Sequence, residues 1–273
     1  MRKLLFVLVT LPFFICALSQ NPPRILLTND DGIDAPGLVA MHKALSRVGR
    51  VTVAAPATNQ SGTGHGLTTG RNPIFVTTWT DDGGSVWHSI NARPATCVSL
   101  ALENLLSETP DIVVSGSNHG ENLGLVTYYS GTVGAAREAA FKGIPSIAVS
   151  VQAGSSMEFE AAAEFTAHLV EKYLKEKLPP QTFINVNYPA LPEDQVKGVK
   201  IGSLSLASPH HIYVKGTMPD GQDYFWQDYR PLVSGEPDTD LLALLEGYIT
   251  ITPLRLDTPE DELIPLLQNW TFP

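Results

Sequence analysis

Cysteine is nearly absent: the 273 residues carry two, Cys16 and Cys97. Cys16 falls in an amino-terminal segment expected to be removed. Cys97 then stands alone on a helical apolar face, as a buried thiol with no disulfide partner. Positive charge is also scarce, with 18 Lys and Arg against 28 Asp and Glu and a net charge of −10. That balance argues against a broad basic face for duplex nucleic acid or an anionic membrane surface. A small anionic substrate stays open if a cation or backbone N–H groups supply local positive charge. No apolar run is long enough for a stable membrane span. No Gly-x4-Gly-Lys-Ser/Thr supports a P-loop, and there are no internal repeats. With 43% hydrophobic residues, 17% charged and a mean hydropathy of +0.02, disordered and collagen-like classes are excluded.

The first residues read as an address. Arg2-Lys3 form a positive start, Leu4 to Ala17 an apolar stretch interrupted by Pro12, and Ala17-Leu18-Ser19 a small-residue cleavage site. Residues 1–19 are therefore expected to be a signal peptide, with export to a bacterial periplasm. An uncleaved interfacial anchor is the alternative, and a cytoplasmic location follows if the signal reading fails. Residues 20–273 are expected to form a single domain.

From there the pattern alternates strand and helix. Strands are expected at Arg24–Thr28, Val51–Ala55, Asp111–Ser115, Ser146–Val151 and Thr182–Val186. Helices are expected from about Pro36 to Val48, over Ala95–Leu106, from about Val133 to Phe141, and over Met157–Lys177. Pro73–Trp79 and Ser85–Ile90 read as a β-pair around an Asp81-Asp82-Gly83-Gly84 turn. The order implies a Rossmann-like, doubly wound, mostly parallel α/β sheet. Past Pro189 the texture turns Pro-, Gly- and aromatic-rich, with short strands at Ile201–Leu206, Ile212–Lys215 and Asp223–Trp226. This reads as a C-terminal β-rich arm over about 190–235. Asp238 and Asp240 read as capping acids before a helix at Leu241–Leu245, and Gly247–Pro253 as a last strand.

Three loops, each following a strand of one sheet edge, carry the chemistry. Asn29-Asp30-Asp31-Gly32 follows the first strand, Asn59-Gln60-Ser61-Gly62 the second, and Ser115-Gly116-Ser117-Asn118-His119-Gly120-Glu121-Asn122 the third. Open α/β sheets bind ligands beyond the carboxyl ends of their strands. Adjacent Asp30 and Asp31 repel, and a bound cation relieves that repulsion; an Asx turn is the competing reading. Two carboxylates, a hydroxyl and an amide oxygen suit Mg²⁺ or Mn²⁺, one per subunit, and suit zinc poorly. Ser130-Gly131-Thr132-Val133-Gly134 opens a helix whose amino terminus favours an anion, phosphate above all, with an ordinary Ser/Thr cap as the alternative.

These motifs resemble the SurE family of 5'/3'-nucleotidases, the survival-protein phosphatases. The likeness is carried by Asn29-Asp30-Asp31-Gly32, Asn59-Gln60-Ser61-Gly62, Ser115-Gly116-Ser117-Asn118, Asn122-Leu123-Gly124, Tyr129-Ser130-Gly131-Thr132-Val133 and Gly247–Leu254. It implies a metal-dependent phosphomonoesterase acting on nucleoside monophosphates. By motif position, the metal ligands fall on Asp30, Asp31, Ser61 and Asn118, and the phosphate loop on Asn122, Ser130, Gly131 and Thr132. A homo-oligomer, dimer or tetramer with exchanged arms, is also implied. The chain departs from the family pattern at Thr96, Leu125, Val126 and Thr127, where acidic residues are common.

Asp30 and Asp31 are the expected catalytic carboxylates. Asp30 is the expected base, with water activated by the cation alone as the alternative. A phospho-aspartyl route calls for Asp-x-Asp spacing, which the adjacent Asp30-Asp31 do not match. His65, His119, His210 and His211 are weaker acid–base candidates, with His119 foremost because it adjoins Asn118. The rival class is an exported nucleotide- or anion-binding module without catalysis.

Overall fold

The computed structural model describes residues 21–70, 72–154, 156–176, 178–207, 210–230, 232–256 and 268–269. The expected signal peptide lies outside them. The elements in chain order are β1 (Arg24–Thr28), α1 (Pro36–Leu45), β2 (Arg50–Pro56), β3 (Val76–Thr80), β4 (Val86–Ile90), α2 (Pro94–Leu100) and β5 (Ile112–His119). There follow α3 (Gly131–Phe141), β6 (Ser146–Val151), α4 (Phe159–Glu176), β7 (Thr182–Tyr188) and β8 (Val199–Ile201). The chain then forms β9 (His210–Thr217), β10 (Asp223–Arg230), α5 (Asp240–Leu245) and β11 (Ile249–Arg255).

Nine strands join in the order β3-β4-β2-β1-β5-β6-β7-β11-β8, and β9 and β10 pair as a separate antiparallel hairpin. The six strands from β4 to β7 are mutually parallel, so the expected doubly wound frame is what forms. Antiparallel pairing enters at β3 and at β11. After β4 the chain crosses to the opposite side of β1 to lay down β5. The ligand crevice of such a sheet is expected at that reversal, beyond the carboxyl ends of β1 and β5.

Strand alternation sorts the core. Ile25 and Leu27 join Leu38, Met41 and Leu45 of α1 and Ala163 and Val170 of α4 on one face. Leu26 and Val113 join Cys97 of α2 and Ala135 and Ala139 of α3 on the other. Burying each large aliphatic side chain contributes roughly 1.5–3 kcal/mol. The small residues Ala136 and Ala140 let α3 lie close over Ala148 and Phe183. The bidentate pair of Arg24 with Asp111, at 3.2 and 3.0 Å, ties β1 to the start of β5.

Towards the carboxyl ends of the parallel strands, and in the amino-terminal part of antiparallel β11, the sheet turns polar. In register across five strands lie Thr28, Ser115, Ala148, Asn185 and Thr252. The row above holds Asn118, Ser150, Asn187 and Thr250. The side-chain oxygens of Thr28, Ser115, Asn185 (Oδ1), Thr250 and Thr252 are buried without a hydrogen-bond partner among the described residues.

Some boundaries differ from those expected. The strand expected to end at Ser115 runs on to His119, because a bulge between Ser115 and Asn118 lets β5 keep pairing with β6. There Gly116 sits at φ +136°, where a Cβ would lie 2.2 Å from the Val149 carbonyl oxygen. The helix expected from Val133 starts at Gly131, because Ser130 caps it. The strand expected at Ile201–Leu206 is shorter and earlier, with only a bridge from Ser203 to Thr239 beyond it.

Candidate active site

Asp30 and Asp31 leave the end of β1 at the sheet's reversal point. Asn29 shapes the turn: its Nδ2 donates to the Gly32 carbonyl at 2.8 Å, and its Oδ1 accepts from the Gly32 N–H at 3.3 Å. The second loop docks beside it, since the Gln60 N–H donates to the Asp30 carbonyl at 2.7 Å and the Ile33 N–H to the Pro56 carbonyl at 2.8 Å.

Asp30 is 3% exposed. Burial pushes its carboxyl up to about 6; the Asp31 charge adds to the rise, and the Thr132 hydroxyl, donating to Asp30 Oδ1, opposes it. Burial also raises Asp31, opposed by the His119 N–H, which donates to Asp31 Oδ2 at 2.8 Å. Neither carboxylate forms an ion pair among the described residues.

The phosphate-type loop closes over Asp30. A Cβ on Gly131 would lie 2.9 Å from Asp30 Cβ and Oδ2 and 3.1 Å from Thr63 Oγ1. The first loop, the chain just past the second and the loop that opens α3 therefore meet at one residue where any side chain would crowd Asp30. Ser61 is exposed, its N–H donating to Asn59 Oδ1 at 2.9 Å. Asn118 is buried in β5, where its Nδ2 donates to the Gly120 carbonyl at 2.6 Å. Its neighbour His119 is the residue bonded to Asp31.

The expected phosphate-loop side chains are already engaged. Ser130 Oγ accepts from the Val133 N–H at 3.1 Å, the cap geometry weighed from the sequence. The Thr132 hydroxyl is bonded to Asp30. Asn122 Nδ2 donates to Ser150 Oγ at 2.8 Å, its N–H donates to Asn187 Oδ1 at 2.7 Å, and its carbonyl accepts from Asn185 and Asn187. Asn122 thus fastens the loop to β6 and β7, while α3 presents its first turn at the loop's other end.

Two departures from the family pattern acquire structural partners. Thr96 Oγ1 accepts from the Thr68 N–H at 2.7 Å, and Thr127 Oγ1 donates to the Gly124 carbonyl at 2.7 Å. Asp240, read as a capping acid, is fully buried and accepts from the N–H groups of Gly124, Ser205 and Leu241 at 2.8–2.9 Å. The cap is Thr239. Asp240 instead anchors the segment leading into the phosphate loop, which a spacing argument could not show. Cys97 is buried as expected, its thiol pushed up to about 12 by burial. His210 and His211 belong to β9, and their side chains lie outside those described.

No group of three or more His, Cys, Asp or Glu able to hold a metal occurs among the described residues. A cation at this edge must take two carboxylates and complete its shell from hydroxyl, amide or backbone oxygens. That donor set fits a hard divalent ion. Two neighbouring carboxylates with raised pKa and no Lys or Arg ion pair among the described residues are the physical condition such an ion relieves. The cavity around Pro23, Tyr173 and Gln181 and the one around Gly49 and Ser85 open at the other, amino-terminal end of the strands. They contain none of these residues.

Fold and site together define an α/β protein whose sheet reversal presents an acidic, oxygen-rich ligand edge to the amino terminus of a helix. The sequence model of the family described as Survival protein SurE matches residues 25–210, and the chain belongs to that family. It is 42% identical over 250 residues to a protein of Syntrophobacter fumaroxidans named 5'-nucleotidase SurE, covering 91% of this chain and 100% of that one. A protein of the same name from Moorella thermoacetica is 43% identical over 239 residues, covering 85% and 90%. The crystal structure of the SurE protein from Aquifex aeolicus superposes with a TM-score of 0.78 at 36% identity, covering 90% of this chain and 98% of that one.

Proposed function

We propose that this protein is a divalent-metal-dependent phosphomonoesterase that hydrolyses nucleoside monophosphates to nucleoside and phosphate. The observation that carries the reading is the closure of Gly131 and Thr132 onto Asp30, which sets an anion-attracting helix start directly over a buried carboxylate. The names of the relatives support the substrate class.

Asp30, Asp31, Ser61 and Asn118 are the residues that would hold the ion, one per subunit, Mg²⁺ or Mn²⁺. When bound, such an ion polarises a phosphoryl oxygen and makes water a stronger nucleophile at neutral pH. The chain's own residues do the rest. The first turn of α3 draws the phosphate dianion through its N–H groups and dipole, and Gly131 lets that anion approach without a side chain in the way. Asp31, fixed by the His119 N–H, and Asp30, fixed by Thr132, hold their oxygens in place before substrate arrives. Asp30, the carboxylate nearest the start of α3, is our candidate to accept the proton from the attacking water.

The leader sequence supports export of the mature chain to a bacterial periplasm. No helix among the described residues is long and apolar enough to cross a membrane. The β9–β10 hairpin exposes Tyr213, Val214, Phe225 and Trp226, which supports its use as an arm between subunits of a homo-oligomer.

Phosphate release from a nucleoside monophosphate panel, with chelator and then with Mg²⁺ or Mn²⁺ restored, tests the reading. Turnover should vanish with chelator, return with metal, and be lost in Asp31→Asn. Phosphate binding without turnover in the metal-loaded protein would instead establish a binding module.

A further inference from the structure

Glu138 is the only carboxylate on α3 and is 8% exposed, yet the reaction makes no use of it. It meets His65 Nε2 at 2.8 Å. The imidazole also packs edge-on against Phe141, with ring centroids 4.8 Å apart. Glu138 lies six residues beyond Thr132, about 9 Å along the helix axis. The ring therefore points away from the Asp30 carboxylate, which packs at the first turn. His65 is placed to hold a structure rather than to move a proton at the phosphate.

What it holds is the loop bearing Ser61. Before Ser61 the Gln60 N–H ties the loop to the Asp30 carbonyl at 2.7 Å, but the side-chain tie beside Ser61 is weak: Asn59 Nδ2 lies 3.4 Å from Asp31 Oδ1, long for a hydrogen bond, and both Asn59 and Ser61 are exposed. The other firm ties come a few residues later. The Gly64 N–H donates to the Tyr129 carbonyl at 2.9 Å, and a Cβ on Gly134 would lie 2.4 Å from the Gly64 carbonyl oxygen, so loop and helix touch backbone to backbone. Thr63 Oγ1 donates to the Gln60 carbonyl at 2.8 Å, and the Gly66 N–H to the Thr63 carbonyl at 3.1 Å. Residues 60–66 are thus one tight turn, pinned at its far end by the His65–Glu138 pair.

We propose that His65 and Glu138 are positioning residues whose pairing latches this turn to α3 and keeps Ser61 registered against Asp30 and Asp31. The inference rests on the nucleotidase reading for the role of Ser61. Outer partners of metal-site residues change affinity or activity by about 10–100-fold when removed.

The test combines amide hydrogen exchange on the metal-free protein with phosphate release during Mn²⁺ titration, for wild type, His65→Ala and Glu138→Gln. Wild-type turnover tests the activity itself, separately from the latch. In His65→Ala, exchange at 59–66 should rise about 10-fold or more, with β1 and β5 unchanged. The Mn²⁺ needed for half activity should rise and kcat should fall, together by about 10–100-fold, while KM for the monophosphate stays within about 2-fold. Glu138→Gln keeps an oxygen for the imidazole to meet and should stay close to wild type in both measurements. Unchanged exchange at 59–66 in His65→Ala overturns the proposal, and so does a uniform rise across the sheet. Loss of one limb of the pH–rate profile with loop exchange unchanged also overturns it, making His65 a proton carrier.

Discussion

Replacing Gly131 by Ala adds one methyl group at the point where the start of α3 meets Asp30 and Thr63. It would sit 2.9 Å from Asp30 Cβ and Oδ2 and 3.1 Å from Thr63 Oγ1, against an optimal separation of about 3.5–4.0 Å between carbons. Relief requires Asp30 to retreat by roughly 0.5 Å or more. Asp30 is held from behind by the Gln60 N–H and from the side by Thr132, so the whole carboxylate must shift. The fold should tolerate the change. Overpacking costs about 1–3 kcal/mol, and Ala in place of Gly within a helix returns up to about 1 kcal/mol. The net loss of about 0–3 kcal/mol is below a typical stability of about 5–15 kcal/mol. Activity should not tolerate it, because a 1 Å misplacement at a reacting centre costs about 100-fold. Phosphate release by Gly131→Ala should fall about 10–100-fold, with Tm lowered by about 10 °C at most. Gly62→Ala is the control. It has nothing within 4 Å of its Cβ but sits at φ +76°, so it should cost stability through its backbone, about 1–2 kcal/mol, and leave the position of Asp30 alone. Wild-type kcat in Gly131→Ala would refute the argument that loop closure sets the carboxylate.

Thr132→Val keeps the shape of the side chain but removes the donor to Asp30, a charge-assisted bond of about 1.5–3 kcal/mol; kcat should fall at least 10-fold while thermal melting shows an intact fold. Asp240→Ala strands the buried N–H groups of Gly124, Ser205 and Leu241 and should cost roughly 3 kcal/mol or more in urea unfolding, with looser phosphate binding. Thr252→Val removes a buried hydroxyl without a partner among the described residues; stability should hold or rise by up to about 1 kcal/mol, seen as a Tm gain of about 2–4 °C. Arg24 holds the Asp111 carboxyl below its ordinary value. A depressed folded-state pKa contributes stability above the unfolded value of 3.8 and loses it as pH falls towards the folded one. Acid unfolding of Asp111→Asn should therefore be less steep below about pH 4 than that of wild type.

The residues of the site were legible because their chemistry is local: an apolar run ending in Asp30-Asp31 marks a strand end in an α/β sheet, and Ser130 before Gly131 marks a helix start. What could not be read was who bonds whom across the chain. Asn122 faces Asn187 across 65 positions and Asp240 faces Gly124 across 116, and no spacing rule spans such gaps. Gly116-Ser117-Asn118 read as loop because Gly and Asn favour turns, yet pairing with β6 overrides that preference and keeps Asn118 in a strand. His65 read as one loop histidine among several, since its partner Glu138 lies 73 residues away. The hairpin at Asp81–Gly84 was fully local, and it forms where expected.

The rows of Thr, Ser and Asn that cross the sheet make its two halves different materials. Below them Leu26, Val113 and Ile147 are sealed in hydrocarbon; at their level the sheet edge carries groups that want water. Heat tolerance can thus be engineered into the lower half without touching catalysis, whereas each oily substitution in the upper half trades working chemistry for durability.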